Sequence, residues 1–283
     1  MDTMEFPIPF AKMSGTGNDF IIIDNRHKIV EDDEMVYLAV QACRRGKSVG
    51  ADGLLLIEED GEYDFRWRFF NSDGSEAEMC GNAARCVARL AYLDGIAGSE
   101  LVFRTMAGPI RAVVEGSTVR VQLTRPHSLD PELKLELGDH RVISAGFVDT
   151  GVPHTVLIVE GNTLETTPVE ELGREIRFHP RFSPAGTNVN FVQIEDPGTI
   201  HVRTYERGVE GETLACGTGV VASAILAAAR GLTSSHVQAK TRGGDILGVY
   251  LDGSDPSSMD VHLQGEASLV YRAQLTEETI GGG

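Results

Sequence analysis

The chain is short of positive charge. Its 283 residues carry 25 Lys and Arg against 42 Asp and Glu, a formal net charge of −17. That acidity argues against nonspecific nucleic-acid binding and against docking on anionic membranes. Cysteine is also scarce. Four in this length do not make a disulfide framework, and a reducing cytoplasm is the expected setting. There is no Cys-x-x-Cys. Cys80 and Cys86 lie six apart, not a usual zinc-ligand pair, and no His cluster accompanies them. The uncharged run Val220 to Ala229 is too short for a bilayer, which takes roughly 20 apolar residues. Gly15-x-Gly17 lacks the third glycine and the following helix of a dinucleotide loop. No secretory signal pattern is expected: Met1 to Phe10 holds two acids, two prolines and no Lys or Arg.

What is present is organised around Cys216-Gly217-Thr218-Gly219 and the run behind it. Val220 to Ala229 reads as a helix, Ala- and Leu-rich, closed by Arg230 and Gly231. Being apolar on every side, it should be buried all round. The dipole and unpaired N–H groups of its first turn would point at Cys216. The same arrangement occurs upstream, where Cys80-Gly81-Asn82 precedes a helix-like run to Leu93 and a stop at Gly95. The offset is 216 − 80 = 136, and it also pairs Gly50 with Gly186, Phe69 with Tyr205, Thr105 with Thr241, Gly108 with Gly244 and Ile110 with Ile246. A register held without a gap over that span indicates an internal duplication.

The coarse order is many strands with a few helices, an α+β chain. The expected architecture is two pseudo-symmetric domains, each a curled mixed β-sheet wrapped around a buried central helix. The active site is expected in the interdomain cleft. The first domain is placed at residues 1–125 with a return strand at 267–276, the second at 126–266. Arg125-Pro126 opens a less regular link, and Gly281 to Gly283 reads as a disordered tail. Thr167-Pro168-Val169-Glu170 reads as a capping box opening a helix to about Phe178.

A thiolate at a helix start is stabilised by the dipole and nearby N–H groups. Two helix heads facing one cleft suit a carboxylate. With one thiolate as base and one thiol as acid, the pair suits proton removal beside that carboxylate and return of a proton on the other face, which inverts the centre. One such cysteine alone is more often a small core residue, and the matched pair reverses that. Redox exchange between Cys80 and Cys216 is the second reading. Cys43 and Cys86 read as core thiols.

Met79-Cys80-Gly81-Asn82-Ala83-Ala84-Arg85-Cys86, Tyr205-Glu206-Arg207-Gly208, Ala215-Cys216-Gly217-Thr218-Gly219 and Ser14-Gly15-Thr16-Gly17-Asn18-Asp19-Phe20 resemble the diaminopimelate epimerase family. The related proline racemases carry Cys-Gly-His where this chain has Cys80-Gly81-Asn82. The resemblance implies an isomerase that interconverts LL- and meso-diaminopimelate, on the way to lysine and peptidoglycan, with no pyridoxal phosphate and no metal. It implies Cys80 and Cys216 as the acid/base pair, and Gly81, Asn82, Gly217 and Thr218 as holders of the reacting carboxylate. Asn18, Asn71, Asn188, Glu206 and Arg207 would read the amino and carboxylate groups, His154 and Glu206 would tune the cysteines, and a homodimer would form. The family often has Gln where this chain has Gly53, and Asn where it has Val152. Neither residue here offers a side-chain hydrogen bond.

Overall fold

A computed structural model describes residues 4–161, 163–253 and 259–281. The chain divides into two compact units, one running to Val121 and resuming at Gly265, the other from Gln122 to Gln264.

The first unit contains β1 (Ile8–Gly15), β2 (Asn18–Asp24), α1 (Met35–Ala42), β3 (Gly53–Glu58), β4 (Phe65–Asn71), α2 (Gly81–Leu93), β5 (Glu100–Thr105), β6 (Gly108–Glu115) and β7 (Thr118–Gln122). The second contains β8 (His127–Glu136), β9 (Val142–Asp149), β10 (Pro153–Ile158), α3 (Val169–Arg177), β11 (Asn188–Asp196), β12 (Thr199–Glu206), β13 (Gly211–Thr213), α4 (Gly217–Ala229), β14 (His236–Thr241), β15 (Ile246–Asp252) and β16 (Asp260–Glu266). The chain returns to the first unit with β17 (Ser268–Leu275) and α5 (Glu277–Gly281). Gly281 therefore ends a short helix, and the rest of the expected tail, Gly282 and Gly283, lies outside the described residues.

The first sheet is ordered β17–β1–β2–β3–β4–β5–β6–β7, parallel at β2–β3 and β4–β5 and antiparallel elsewhere. The second is ordered β8–β9–β10–β11–β12–β14–β15–β16, with its parallel pairs, β10–β11 and β12–β14, at the same two places. The repeat is thus one of topology as well as of residues. Helix bounds obey the same offset, since 217 − 81 and 229 − 93 are both 136.

In each unit one helix lies inside the curl of the sheet. Helix α2 touches β1, β2, β3, β6 and β17, and α4 touches β9, β10, β11, β12, β14 and β15. A helix in contact with strands across that breadth must have apolar or satisfied groups all round. In α4 every residue from Gly219 to Ala227 is buried. It is closed by Arg230 and by Gly231, at φ +70°. It begins directly after Cys216, with Gly217-Thr218-Gly219 forming the first turn ahead of the uncharged run. The outer face of the first sheet packs on α1, with Leu38, Ala39 and Ala42 against Ile21, Ile23, Leu54 and Leu56. That of the second packs on α3, with Val169 and Ile176 against Val189, Phe191 and Tyr205. No helix among the described residues is long and apolar enough to cross a membrane.

Two local expectations fail. The stretch after Arg125-Pro126 is strand β8, whose first half is polar with a shifted register against β9. Its second half alternates buried Leu133 and Leu135 with exposed Lys134 and Glu136, a period-two pattern that the expectation of a link left out. The capping box does not form. Pro168 is the N-cap of α3, Thr167 donates its hydroxyl to the Thr163 carbonyl at 3.0 Å, and Glu170 accepts the backbone N–H of Glu212 at 2.9 Å. A strand N–H claims the carboxylate that would have closed the box.

Candidate active site

Cys80 is the N-cap of α2 and Cys216 the N-cap of α4, both in extended conformation. Neither side chain caps its helix. The first intrahelical bonds run from Ala84 N to Cys80 O and from Val220 N to Cys216 O, each 2.9 Å. The N–H groups of Gly81, Asn82 and Ala83, and of Gly217, Thr218 and Gly219, therefore have no acceptor within their own helix. The Cys216 sulfur lies 3.5 Å from the Thr218 hydroxyl. The other thiols are inert: burial pushes both Cys43 and Cys86 up to about 12.

The loop that delivers Cys80 is braced. Asp73 accepts from the backbone N–H and the hydroxyl of Ser75, at 2.9 and 2.6 Å. Asn71 donates to the same Ser75 hydroxyl at 3.0 Å. Glu76 pairs with Arg68 at 2.5 Å. The loop before Cys216 is held by Glu210, which accepts from Arg177 at 3.0 Å and from the Gly208 N–H at 3.0 Å.

In the first unit a chain of polar contacts ends at the head of α2. Arg45 donates to Asp52 at 2.7 Å, and Asn18 donates to the other Asp52 oxygen at 2.9 Å. Asn82 donates to Asn18 Oδ1 at 2.7 Å and to the Thr16 carbonyl at 3.3 Å. Arg85, wholly buried, donates to Asn82 Oδ1 at 2.8 Å and to the Thr16 hydroxyl at 2.6 Å. Both ends of the Asn82 amide are thus taken by protein. What Asn82 offers a ligand is its backbone N–H. Asp52, Thr16 and Arg85 are supporting residues that the sequence reading gave no role. The Gly-Ala-Asp-Gly stretch around Asp52 was the available signal.

In the second unit the strand register places His154 beside Asn188, and Asn190 beside Thr204. Alternate residues share a face, so His154, Asn188, Asn190, Thr204 and Glu206 project together. It is the face of α4, because a Cβ on Gly219 would come within 2.3 Å of Asn190 Oδ1 and 3.2 Å of Thr204 Oγ1. Asn188 clamps two strand ends, donating to Pro153 O at 3.2 Å and accepting the Arg207 N–H at 2.8 Å. The Arg207 guanidinium donates to the Ala185 carbonyl at 3.2 Å. Burial pushes the Glu206 carboxyl above its ordinary range. Burial, and then the Arg207 charge, press His154 down to about 3. Among the described residues no group of three His, Cys, Asp or Glu is placed to hold a metal ion.

The two departures look different in the fold. A Cβ on Gly53 would meet the Phe69 ring at 2.6 Å and the Phe70 carbonyl at 2.8 Å. Phe69 fills that space and packs edge-on against Phe20 at 5.9 Å. A longer side chain has no room beside this ring. Val152 is half-buried and accepts the Thr150 N–H through its carbonyl at 3.1 Å.

The sites drawn from sequence thus fall into two sets. Asn18, Asn71, Cys80, Gly81 and Asn82 belong to the first unit, and His154, Asn188, Glu206, Arg207, Cys216, Gly217 and Thr218 to the second.

The model of the diaminopimelate epimerase family matches residues 10–128 and 146–268. A diaminopimelate epimerase of Aquifex aeolicus is 46% identical over 285 residues, covering 96% of this chain and 99% of that protein. One from Hydrogenobaculum is 44% identical over 278 residues, covering 95% and 98%. Among solved structures, a phenazine biosynthesis protein of the PhzF family from Bacillus anthracis aligns with TM-score 0.72 at 16% identity, over 96% of this chain and 100% of that one. A probable proline racemase from Agrobacterium radiobacter aligns with TM-score 0.69 at 16% identity, over 95% and 93%. At such identity these two speak for the fold alone. The duplicated sheet-and-helix units, the twin cysteine N-caps and the near full-length similarity have one meaning: the chain belongs to the diaminopimelate epimerase family.

Proposed function

We propose that this protein interconverts LL- and meso-2,6-diaminopimelate without pyridoxal phosphate, using Cys80 and Cys216 as the acid/base pair. The observation that carries the reading is the matched pair of cysteine N-caps, each on a buried helix whose first-turn N–H groups lack helical acceptors. The α-hydrogen of an amino acid is very weakly acidic. Its removal needs preorganised donors where negative charge develops on the carboxylate. The N–H groups of Gly81, Asn82, Gly217 and Thr218 supply them. One cysteine thiolate takes the α-proton, and the C–H electron pair passes into the carboxylate-stabilised carbanion. The thiol of the other cysteine gives its proton to the opposite face, and the two cysteines end with their protonation states exchanged.

Asn18 and Asn71 read polar substrate groups beside Cys80, and Glu206 and Arg207 do so beside Cys216. Arg207 suits a carboxylate and Glu206 an ammonium. Asn188 serves chiefly by holding the Arg207 backbone. His154 and Glu206 set the proton affinity of the thiols. The same reading extends to a homodimer in the cytoplasm, which sedimentation of the purified protein tests.

The decisive experiment starts from LL-substrate in D₂O with no added cofactor. Early turnover should place deuterium at the inverted centre of product and almost none in recovered substrate. Cys80→Ala and Cys216→Ala should each abolish inversion. Recovered substrate as heavily labelled as product would point to one base serving both faces and would sink the two-cysteine reading.

A further inference from the structure

Asn190 lies in the second unit among groups that the reaction does not use directly. It is fully buried, as is His154. Its amide nitrogen donates to the Thr155 carbonyl at 3.2 Å and contacts His154 Nδ1 at 3.1 Å. Its amide oxygen accepts the Thr204 hydroxyl at 2.9 Å. The Thr155 carbonyl can only accept, so the atom facing it is the NH₂ group. The second hydrogen of that NH₂ faces His154 Nδ1, which must then be an acceptor. A neutral imidazole with an acceptor Nδ1 carries its proton on Nε2. That Nε2 is buried and has no hydrogen-bond partner among the described residues.

We propose that Asn190, oriented by Thr204 and the Thr155 carbonyl, is a positioning residue that locks His154 as a neutral Nε2–H donor. Protonation of Nδ1 would set an N–H against the amide N–H of Asn190. The imidazolium is therefore disfavoured by geometry, and His154 serves the site as a fixed donor, not as a base. The Nε2–H donor is buried and meets no acceptor among the described residues. Of the ionisable groups on the elements packed around His154, those at its end of the sheet are Asp149 on β9, Glu206 on β12, Arg207 just after it, and Cys216 at the head of α4. Glu195 and Asp196 lie at the far end of β11, and His201 and Arg203 on the opposite face of β12. The side chain in contact with Nδ1 is the uncharged amide of Asn190. The proposal rests on the reading of function above only for its catalytic consequence.

Nitrogen-15 NMR of the imidazoles reads the tautomer directly, with the His154 signal identified by its loss in His154→Gln. The expected result in the unmodified protein is the Nε2–H form, with no titration between about pH 5 and 8, where a free imidazole changes charge. Asn190→Asp replaces the donor by an acceptor of the same shape. It should move the proton to Nδ1, make His154 titrate, and add a new ionisation to the acid limb of kcat/KM, with a loss of roughly tenfold or more at neutral pH. Thr204→Val, which only frees the amide to turn, should shift the same signals by less. A proton on Nδ1 in the unmodified protein, ordinary titration there, or an unchanged tautomer in Asn190→Asp would each overturn the proposal. A protein that shows the Nε2–H signal but does not epimerise diaminopimelate would support the lock and remove only the reading of function.

Discussion

The Asn82 amide is committed to Asn18, Thr16 and Arg85, and the last of these is a wholly buried cation. Removing one partner from such a set leaves the rest unsatisfied, which costs more than the bond was worth. Asn82→Ala should lower stability by about 1–3 kcal/mol, read as a fall in the urea midpoint. Gly53 is constrained from the other side, by volume. Gly53→Ala brings a methyl against the Phe69 ring and the Phe70 carbonyl and should cost about 1–3 kcal/mol as overpacking. Phe69→Leu combined with it should recover part of that loss. An additive double variant would show that the ring is not what fills the space.

At the scale of the element, the head of α4 is where backbone geometry and the polar cluster meet. Helix propensity alone favours Gly219→Ala by up to ~1 kcal/mol. The sterics oppose it, because the new Cβ would lie 2.3 Å from Asn190 Oδ1. Oxygen and methyl cannot share that distance, so Asn190 must move and His154 with it. Gly219→Ala should therefore keep the helix, as seen by circular dichroism, and lose roughly a hundredfold in kcat/KM. A variant of full activity would mean that the cluster does not position the site.

At the scale of the whole molecule, buried His154 and half-buried Asp19 pull the pH dependence of stability the same way. His154 is pressed from 6.5 down to about 3 by burial and then by Arg207. The unfolded chain binds that proton more readily, so the stability from keeping His154 neutral is present above pH 6.5 and is lost as pH falls towards about 3. Asp19, against the burial that opposes it, is held from 3.8 down to about 2 by Arg45 and Lys12, and its contribution is lost as pH falls through that lower range. Glu206, pushed up by burial, runs the other way: its contribution is present in acid and fades as pH rises through its raised value. The expected outcome is a urea midpoint that falls below pH 6.5 by the equivalent of a few kcal/mol, on the order of what one buried imidazole supplies. His154→Gln should flatten that slope. An unchanged slope would show that acid unfolding is driven by the carboxylates alone.

The sequence by itself determined the duplication, the α+β pattern and the two cysteines at helix heads. Each of these is written locally or at one constant offset. A helix start is decided within about four residues by i→i−4 bonding, and Cys80 and Cys216 stand directly before two such starts. The side chains that support the site were not legible in that way. Asn190 meets His154 across 36 residues, Asn82 meets Asn18 across 64, and Asn18 meets Asp52 across 34. A hydrogen bond is short and directional, so the strand register alone decides which of many possible amides finds a partner. The same holds for Gly53, where β3–β4 pairing lays a ring over the backbone. Strand β8 was legible in its second half, where buried Leu133 and Leu135 alternate with exposed Lys134 and Glu136, while its polar first half follows only from pairing with β9. Local bonding wrote the helix heads into the chain, and tertiary register chose what surrounds them.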